Sequence, residues 1–237
     1  MTYIFLVAGK GSRLHPLTLN HPKSLYKLDG EVTVLERMVA LIKKHDSEAE
    51  IVIVTGFMSD LIEEKMKENV HFIRNPFYDV TNSIASLWFA KDYLNRDDVV
   101  IINGDIVMEE ELIKDIVCSW TEKPMVLLDS SIKTDGDYNV QVEDDVVLVM
   151  SKDLNDYYGE YAGVTKLEKE SAHLLSKEIS YMVNNHMHDQ WYENALVQMI
   201  FKTDFKLYYK DICDYKWTEV DCVSDMLLAK KIHNQEK

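Results

Sequence analysis

Cationic side chains are scarce in this sequence: 26 Lys and Arg stand against 41 Asp and Glu, a net charge of −15 over 237 residues. That balance excludes a broad phosphate-binding face, and with it nucleic acid or an anionic membrane as partner. Cysteine is sparse too. Cys118, Cys213 and Cys222 are odd in number and show no CxxC spacing, which excludes a disulfide framework and a thiolate zinc site and leaves buried or incidental thiols. No apolar run approaches the ~20 residues that span a bilayer, and the N-terminus lacks the basic-then-apolar layout of a secretion signal. A soluble, cytoplasmic protein is the expectation. Repeats, low-complexity tracts and linkers are missing as well, and a 46% hydrophobic composition suffices for one sizeable α/β domain over residues 1–237.

What is present is an alternation of buried strands and amphipathic helices. Residues 3–8, 50–55, 70–74, 98–102 and 124–128 read as short apolar strands; 32–44, 58–68, 82–94 and 109–120 space their apolar residues by three and four, as in VLERMVALI. Strand alternating with helix implies right-handed crossovers and a mostly parallel sheet between two helical layers, with ligands bound beyond the carboxyl ends of the strands. Past residue 129 the rhythm changes. YNVQVEDDVVLVM predicts a hairpin around Glu143, Asp144 and Asp145; a strand over 161–167, helices near 168–179 and 189–201 and a closing helix from about Asp221 follow. Residues 1–128 thus read as a parallel α/β core and 129–237 as an antiparallel elaboration laid over it.

The charge is uneven. Residues 1–28 carry Lys10, Arg13, Lys23 and Lys27 and no acid, so the rest of the chain is more negative than the whole. These cations flank a strand-to-loop turn on Gly9 and Gly11, in LVAGKGSRLHPLTLNHPKSL. Glycine lets backbone N–H groups approach an anion and Lys or Arg neutralises it, which suits a small, highly anionic ligand held locally. The dinucleotide fingerprint GxGxxG fails at Leu14, and the P-loop pattern is absent.

The extended pattern resembles the signature of nucleotidyltransferases that join a nucleoside triphosphate to a phosphorylated acceptor, AGxGxRLxPLT followed by PKxL. It matches at Ala8, Gly9, Gly11, Arg13, Leu14, Pro16, Leu17, Thr18, Pro22, Lys23 and Leu25, with Val7 as a departure. The resemblance implies a Rossmann-like three-layer α/β/α sandwich of the nucleotide-diphospho-sugar transferase type, with a mixed, mostly parallel sheet. It also implies that amides of Ala8, Gly9 and Gly11, with the Ser12 hydroxyl, hold the nucleotide, that Arg13 grips the leaving pyrophosphate, and that Lys23 sits on the α-phosphate.

Nucleotidyl transfer needs several phosphate oxygens neutralised at once, for which Mg²⁺ on carboxylates is the usual solution, with Mn²⁺ as the variant. Asp105 in VVIINGDIVM stands just past a buried strand, where the family places a metal ligand. Asp221 in WTEVDCVSDML matches the late aspartate of the same enzymes; Asp225, one turn on, reads as a decoy, and helix capping by Asp221 or Ser224 is the competing account. Glu109, Glu110 and Glu111 read as helix-start acids. His186 and His188 with Asp189 lack a third ligand and read as surface residues.

NPFYDVTNSIASLWFA is similar to a segment of small cytidylyltransferases that act on phosphocholine, phosphoamino acids such as phosphoglutamine, or aminoethylphosphonate. Asn82, Ser83 and Ser86 there either face the pocket to read a pyrimidine or ribose, or cap a solvated helix. By the same resemblance Lys152 contacts the acceptor phosphate and Gly163 lies on the facing strand. Tyr181, Asp189, Trp191, Tyr192, Glu193 and Asn194 cluster where head groups are recognised; aromatic faces with carboxylates suit a cationic amine, and they equally suit a core helix. The implied reaction takes CTP and a small phosphorylated acceptor, without nucleic acid or membrane, and serves decoration of a cell-surface polysaccharide or lipid; a homodimer stays open. The alternatives are a sugar-1-phosphate nucleotidyltransferase using UTP, dTTP or GTP, and a noncatalytic nucleotide-sensing module.

Overall fold

The computed structural model describes residues 1–16, 18–66, 69–132 and 138–235. Leu17 of the glycine-loop signature and the end of the helix expected over 58–68 lie outside them. Strand β1 (Thr2–Val7) sends Tyr3, Phe5 and Val7 into one apolar cluster and Ile4 into another, as a strand buried on both faces must. After the basic loop come the hairpin of β2 (Lys27–Asp29) and β3 (Val32–Thr33) and helix α1 (Val34–His45). A capping box between Thr33 and Glu36 fixes where α1 begins, and Lys43, Lys44 and His45 end it, where the helix dipole favours cations.

There follow β4 (Glu50–Thr55), α2 (Ser59–Lys65), β5 (His71–Arg74), α3 (Ser83–Phe89), β6 (Val99–Asn103) and β7 (Ile106–Met108). Next are α4 (Glu110–Leu112), continued by a π-turn over Ile113–Val117, and β8 (Met125–Asp129). The helix expected over 109–120 is therefore short. The carbonyls of Ile116, within the π-turn, and of Ser119, just past it, accept hydrogen bonds from Lys166 Nζ, a nearly inaccessible ammonium whose pKa burial pulls down to about 8. The second half supplies β9 (Asn139–Glu143), β10 (Val146–Ser151), β11 (Gly159–Leu167), α5 (Lys169–Asn184), α6 (Glu193–Lys202), β12 (Tyr208–Asp211), β13 (Trp217–Glu219) and α7 (Val223–Asn234).

Nine strands form one sheet, ordered β5-β4-β1-β6-β11-β8-β12-β10-β9. The pairings from β5 to β6 are parallel, β11 is antiparallel to β6 and β8, and β12 is parallel to β8. Helices α3, α5 and α6 pack on one face and α1, α2 and α4 on the other, giving the expected three-layer α/β/α sandwich. The hairpin of β9 and β10 forms as expected and turns at Asp144, whose φ is 53°. One difference stands out. Strand β11 lies in the middle of the sheet rather than over it, because Ala162 and Val164 enter one core cluster while Tyr161 and Leu167 enter the other, and only a central strand buries both faces.

Two further strands, β7 and β13, pair antiparallel in a separate small sheet. Beside it a minor core of Leu14, Leu28, Val107, Val220 and Met226 ties α7 to the segment that carries the glycine loop.

Candidate active site

The carboxyl ends of β1 and β6 lie side by side, and the chain leaving β1 forms the glycine loop at that edge of the sheet. Gly11 has a φ of +62°, and a Cβ there would stand 2.4 Å from Cγ of Lys23. Both the backbone and the lysine stem therefore require glycine. Thr18 Oγ1 donates to the Gly11 carbonyl at 2.7 Å and closes the loop. Lys23 opens a single 3₁₀ turn, Lys23–Leu25, directly after Pro22.

Asp105 follows β6. The Val220 N–H donates to its carbonyl at 3.0 Å, and Glu219 stands opposite Ile106 in the β7–β13 ladder. This small ladder carries Glu219 and Asp221 to Asp105, so that one oxygen from each lies within 4.8 Å of the others, the sole such cluster among the described residues. Lys23 Nζ is 2.6 Å from Asp105 Oδ2 and 2.5 Å from Asp221 Oδ1, and Arg13 reaches Asp221 Oδ2 at 3.0 Å. Burial opposes the Lys23 charge, but the flanking Asp105 and Asp221 outweigh it and hold its pKa above that of an ordinary lysine. Three carboxylate oxygens are hard donors that fit a divalent cation. Asp225 accepts from the N–H groups of Asp221 and Cys222 at 3.0 and 2.7 Å, as the cap of α7. Sequence reasoning passed over Glu219. Its signal was the E-x-D spacing with Asp221, which in an extended run puts both carboxylates on one side.

Arg13, Lys23, Asp105 and Glu219 border a cleft of about 310 Å³, and Asp221 joins it through Lys23 and Arg13. Ala8, Gly9, Gly11, Ser12, Arg13, Lys23, Asn82, Ser83 and Asp105 line it, together with Ser86, Trp191 and Glu193. Asn82 and Ser83 also act locally: Asn82 Oδ1 accepts from the Ser83 N–H at 2.8 Å, and Ser83 Oγ accepts from the Tyr192 N–H at 2.9 Å. The Asn82 and Ile84 N–H groups donate to the carbonyls of His188 and Gln190 at 3.1 and 3.2 Å. These bonds stitch the start of α3 to the segment before α6 and draw Trp191 and Glu193 to the cleft.

A side pocket of about 120 Å³ opens beside the cleft and adds Tyr138, Lys152 and Tyr161. Lys152 Nζ sits 4.0 Å above the Trp191 ring, and Tyr138 meets that ring edge-on at 5.8 Å. Glu193 is only 5% exposed; burial pushes its carboxyl up to about 7 against the pull of Lys152. Tyr138, just before β9, and Tyr161, on β11, had no sequence signal.

Three residues expected to contact the acceptor lie elsewhere. Tyr192 is 0% exposed, its hydroxyl bonded to those of Tyr161 and Thr165 at 2.5 and 3.1 Å; it is core. Tyr181 is 53% exposed on α5, beneath the Lys202 ammonium and bordering neither cavity. Gly163 supports the wall from behind: its φ is +71°, and a Cβ would stand 2.8 Å from Ile106 Cδ1 and 3.2 Å from Asn103 Nδ2.

The CTP:phosphoglutamine cytidylyltransferase of Campylobacter jejuni is 24% identical over 250 residues, covering 95% of this chain and 98% of that protein. Among solved structures, the CTP:phosphocholine cytidylyltransferase of Streptococcus pneumoniae shares the fold with a TM-score of 0.79 at 20% identity, over 98% of each chain. The inositol-1-phosphate CTP transferase of T. maritima shares it at 0.75 and 18%, over 98% of this chain and 95% of the other. The MobA-like NTP transferase domain matches residues 3–170, from β1 to the first turn of α5, and the chain belongs to that family.

Proposed function

We propose that the protein is a cytidylyltransferase that moves CMP from CTP to a small phosphorylated amino compound and releases pyrophosphate. The observation that carries this proposal is a shared wall: Arg13, Asn103, Trp191, Glu193 and Glu219 border both the cleft and the side pocket. Donor and acceptor bound in the two cavities would meet there, already oriented.

Backbone amides of Ala8, Gly9 and Gly11 and the Ser12 hydroxyl hold the nucleotide, with Asn82 and Ser83 on its base and ribose side. Arg13 binds the β- and γ-phosphates, and Lys23 neutralises charge growing on the α-phosphate. An oxygen of the acceptor's phosphate forms the new bond to the α-phosphorus; the bond from that phosphorus to the bridging oxygen breaks, and pyrophosphate leaves with the electron pair. The nucleophile is already an anion, so no general base is required. Asp105, Glu219 and Asp221 would hold Mg²⁺ or Mn²⁺, which when bound offsets the negative charge of the phosphates. Lys152 pairs with the acceptor phosphate, while Trp191, Tyr138 and Glu193 suit a cationic amine. The acceptors named for the Campylobacter and Streptococcus proteins support that class.

Pyrophosphate release with Mg²⁺ tests it, crossing CTP, UTP, GTP, ATP and dTTP with phosphocholine, phosphoethanolamine, aminoethylphosphonate, phosphoamino acids, inositol 1-phosphate and hexose 1-phosphates. Turnover confined to CTP with an amino-phosphate is the expected result. Turnover with inositol or hexose phosphates would overturn the acceptor half alone, and no release with any pair would recast the chain as a nucleotide sensor.

A further inference from the structure

The carboxylates that fit a divalent cation are already engaged by the chain's own cations. Lys23 Nζ is 2.6 Å from Asp105 and 2.5 Å from one oxygen of Asp221, Arg13 is 3.0 Å from the other oxygen, and the side chains of Lys23, Asp105 and Asp221 are only 14, 16 and 17% exposed. We propose that Lys23 gates the metal site: it occupies the carboxylates in place of a divalent cation and yields them only when nucleotide phosphates draw it into the cleft, so that metal and nucleotide bind with positive coupling. This rests on the metal and nucleotide sites proposed above.

Charge favours such a gate. A dication sharing oxygens with the Lys23 ammonium would meet a like charge at contact distance in a part-buried site, where solvent and salt screen little. Metal alone would set four positive charges, its own two with Lys23 and Arg13, against the three negative ones of Asp105, Glu219 and Asp221; a triphosphate supplies the missing anion. The motion is within reach. The missing Cβ at Gly11 seats Cγ and Cδ of Lys23, and beyond that fixed stem the ammonium is a compact charge on rotatable bonds. Lys23 and Arg13 both line the cleft, so the phosphates that would recruit them lie on the same surface as the carboxylates they would leave. Coupling of this kind is reciprocal: metal must raise nucleotide affinity by the factor by which nucleotide raises that of metal.

The test is Mn²⁺ binding followed by electron paramagnetic resonance on the intact protein without nucleotide. Lys23→Gln should bind Mn²⁺ about tenfold more tightly than wild type. Lys27→Gln, which removes an equal charge from an exposed partner of Glu31, should match wild type, and adding Asp105→Asn to Lys23→Gln should erase the gain. Equal affinity in wild type and Lys23→Gln, an equal gain in Lys27→Gln, or a gain that survives Asp105→Asn would each overturn the gate. Should Lys23→Gln not fold, the ¹⁵N resonance of the Lys23 ammonium in wild type decides. It should move with Mg²⁺ plus a non-transferable CTP analogue and stay with Mg²⁺ alone; an equal shift in both overturns the gate. The Mn²⁺ measurement involves no nucleotide, so it stands even if turnover proves to need another triphosphate, and turnover with CTP stands even if the gate fails.

Discussion

The two walls of the cleft are built in opposite ways. The wall proposed for the nucleotide comes largely from one stretch of chain, residues 8–23, and would work through backbone amides, Gly11 and two cations. The acceptor wall gathers Tyr138, Lys152, Tyr161, Trp191 and Glu193 from points scattered along the second half. A triphosphate is the same anion whatever base it carries and can be met by a contiguous motif, whereas a head group is met by side chains that only the folded sheet brings together. The family match ends at residue 170, before Trp191, Glu193, Glu219 and Asp221. The match takes in the glycine loop and Asp105 together with Tyr138, Lys152 and Tyr161, so it divides both the side pocket and the acidic cluster.

Breaking the nucleotide wall should have the largest effect. Lys23→Ala or Asp105→Asn should each lower kcat by about 10²–10³-fold, with folding checked by circular dichroism; turnover near wild type in Lys23→Ala would remove that residue from the α-phosphate. Lys152 borders only the side pocket. Its change to Met should raise the acceptor KM about tenfold, the scale of one charge-assisted hydrogen bond, and leave the CTP KM unchanged; equal shifts in both constants would erase the division between the walls.

Glu193 sharpens the comparison through pH. Burial holds its carboxyl at about 7, above the ordinary 4.5. A cationic acceptor binds the carboxylate, so the acceptor KM should fall as pH rises through about 7 and then level, and Glu193→Gln should flatten the profile. Stability runs the other way. The neutral acid is the form that the folded site favours, so this group's contribution is full below about 4.5 and is lost as pH rises through about 7, a loss the Gln variant should lack in thermal melts taken across that window. The smallest effect is expected at Tyr181, outside both cavities: Tyr181→Ala should keep both KM values within about twofold, and a large rise in the acceptor KM would return α5 to the site.

The legible parts of the sequence were those with local causes. The strand at 50–55 falls where its apolar run predicts, and those at 3–8, 98–102 and 124–128 are displaced by one residue. Gly11 and Lys23 were found because steric need and charge leave a contiguous trace. Hidden were features settled by distant partners: the central place of β11, the parallel pairing of β12 with β8, and the three-residue strands β7 and β13, too short for any period to register. Glu219 went unseen with them. Tyr192 misled for a related reason, since an aromatic beside Trp191 and Glu193 looks alike in sequence whether it faces a ligand or, as here, the hydroxyls of Tyr161 and Thr165.

The β7–β13 clasp also sets an order in time. A chain emerging from the ribosome exposes the whole glycine loop early and can fold its parallel strands as they appear, yet Glu219 and Asp221 reach Asp105 only once β13 has been made and paired. A product cut short before Trp217 retains Lys23 and Asp105 but none of the partners that complete the acidic cluster. Under the proposed function, competence therefore waits for β13, and copies that stop before it would stay inactive.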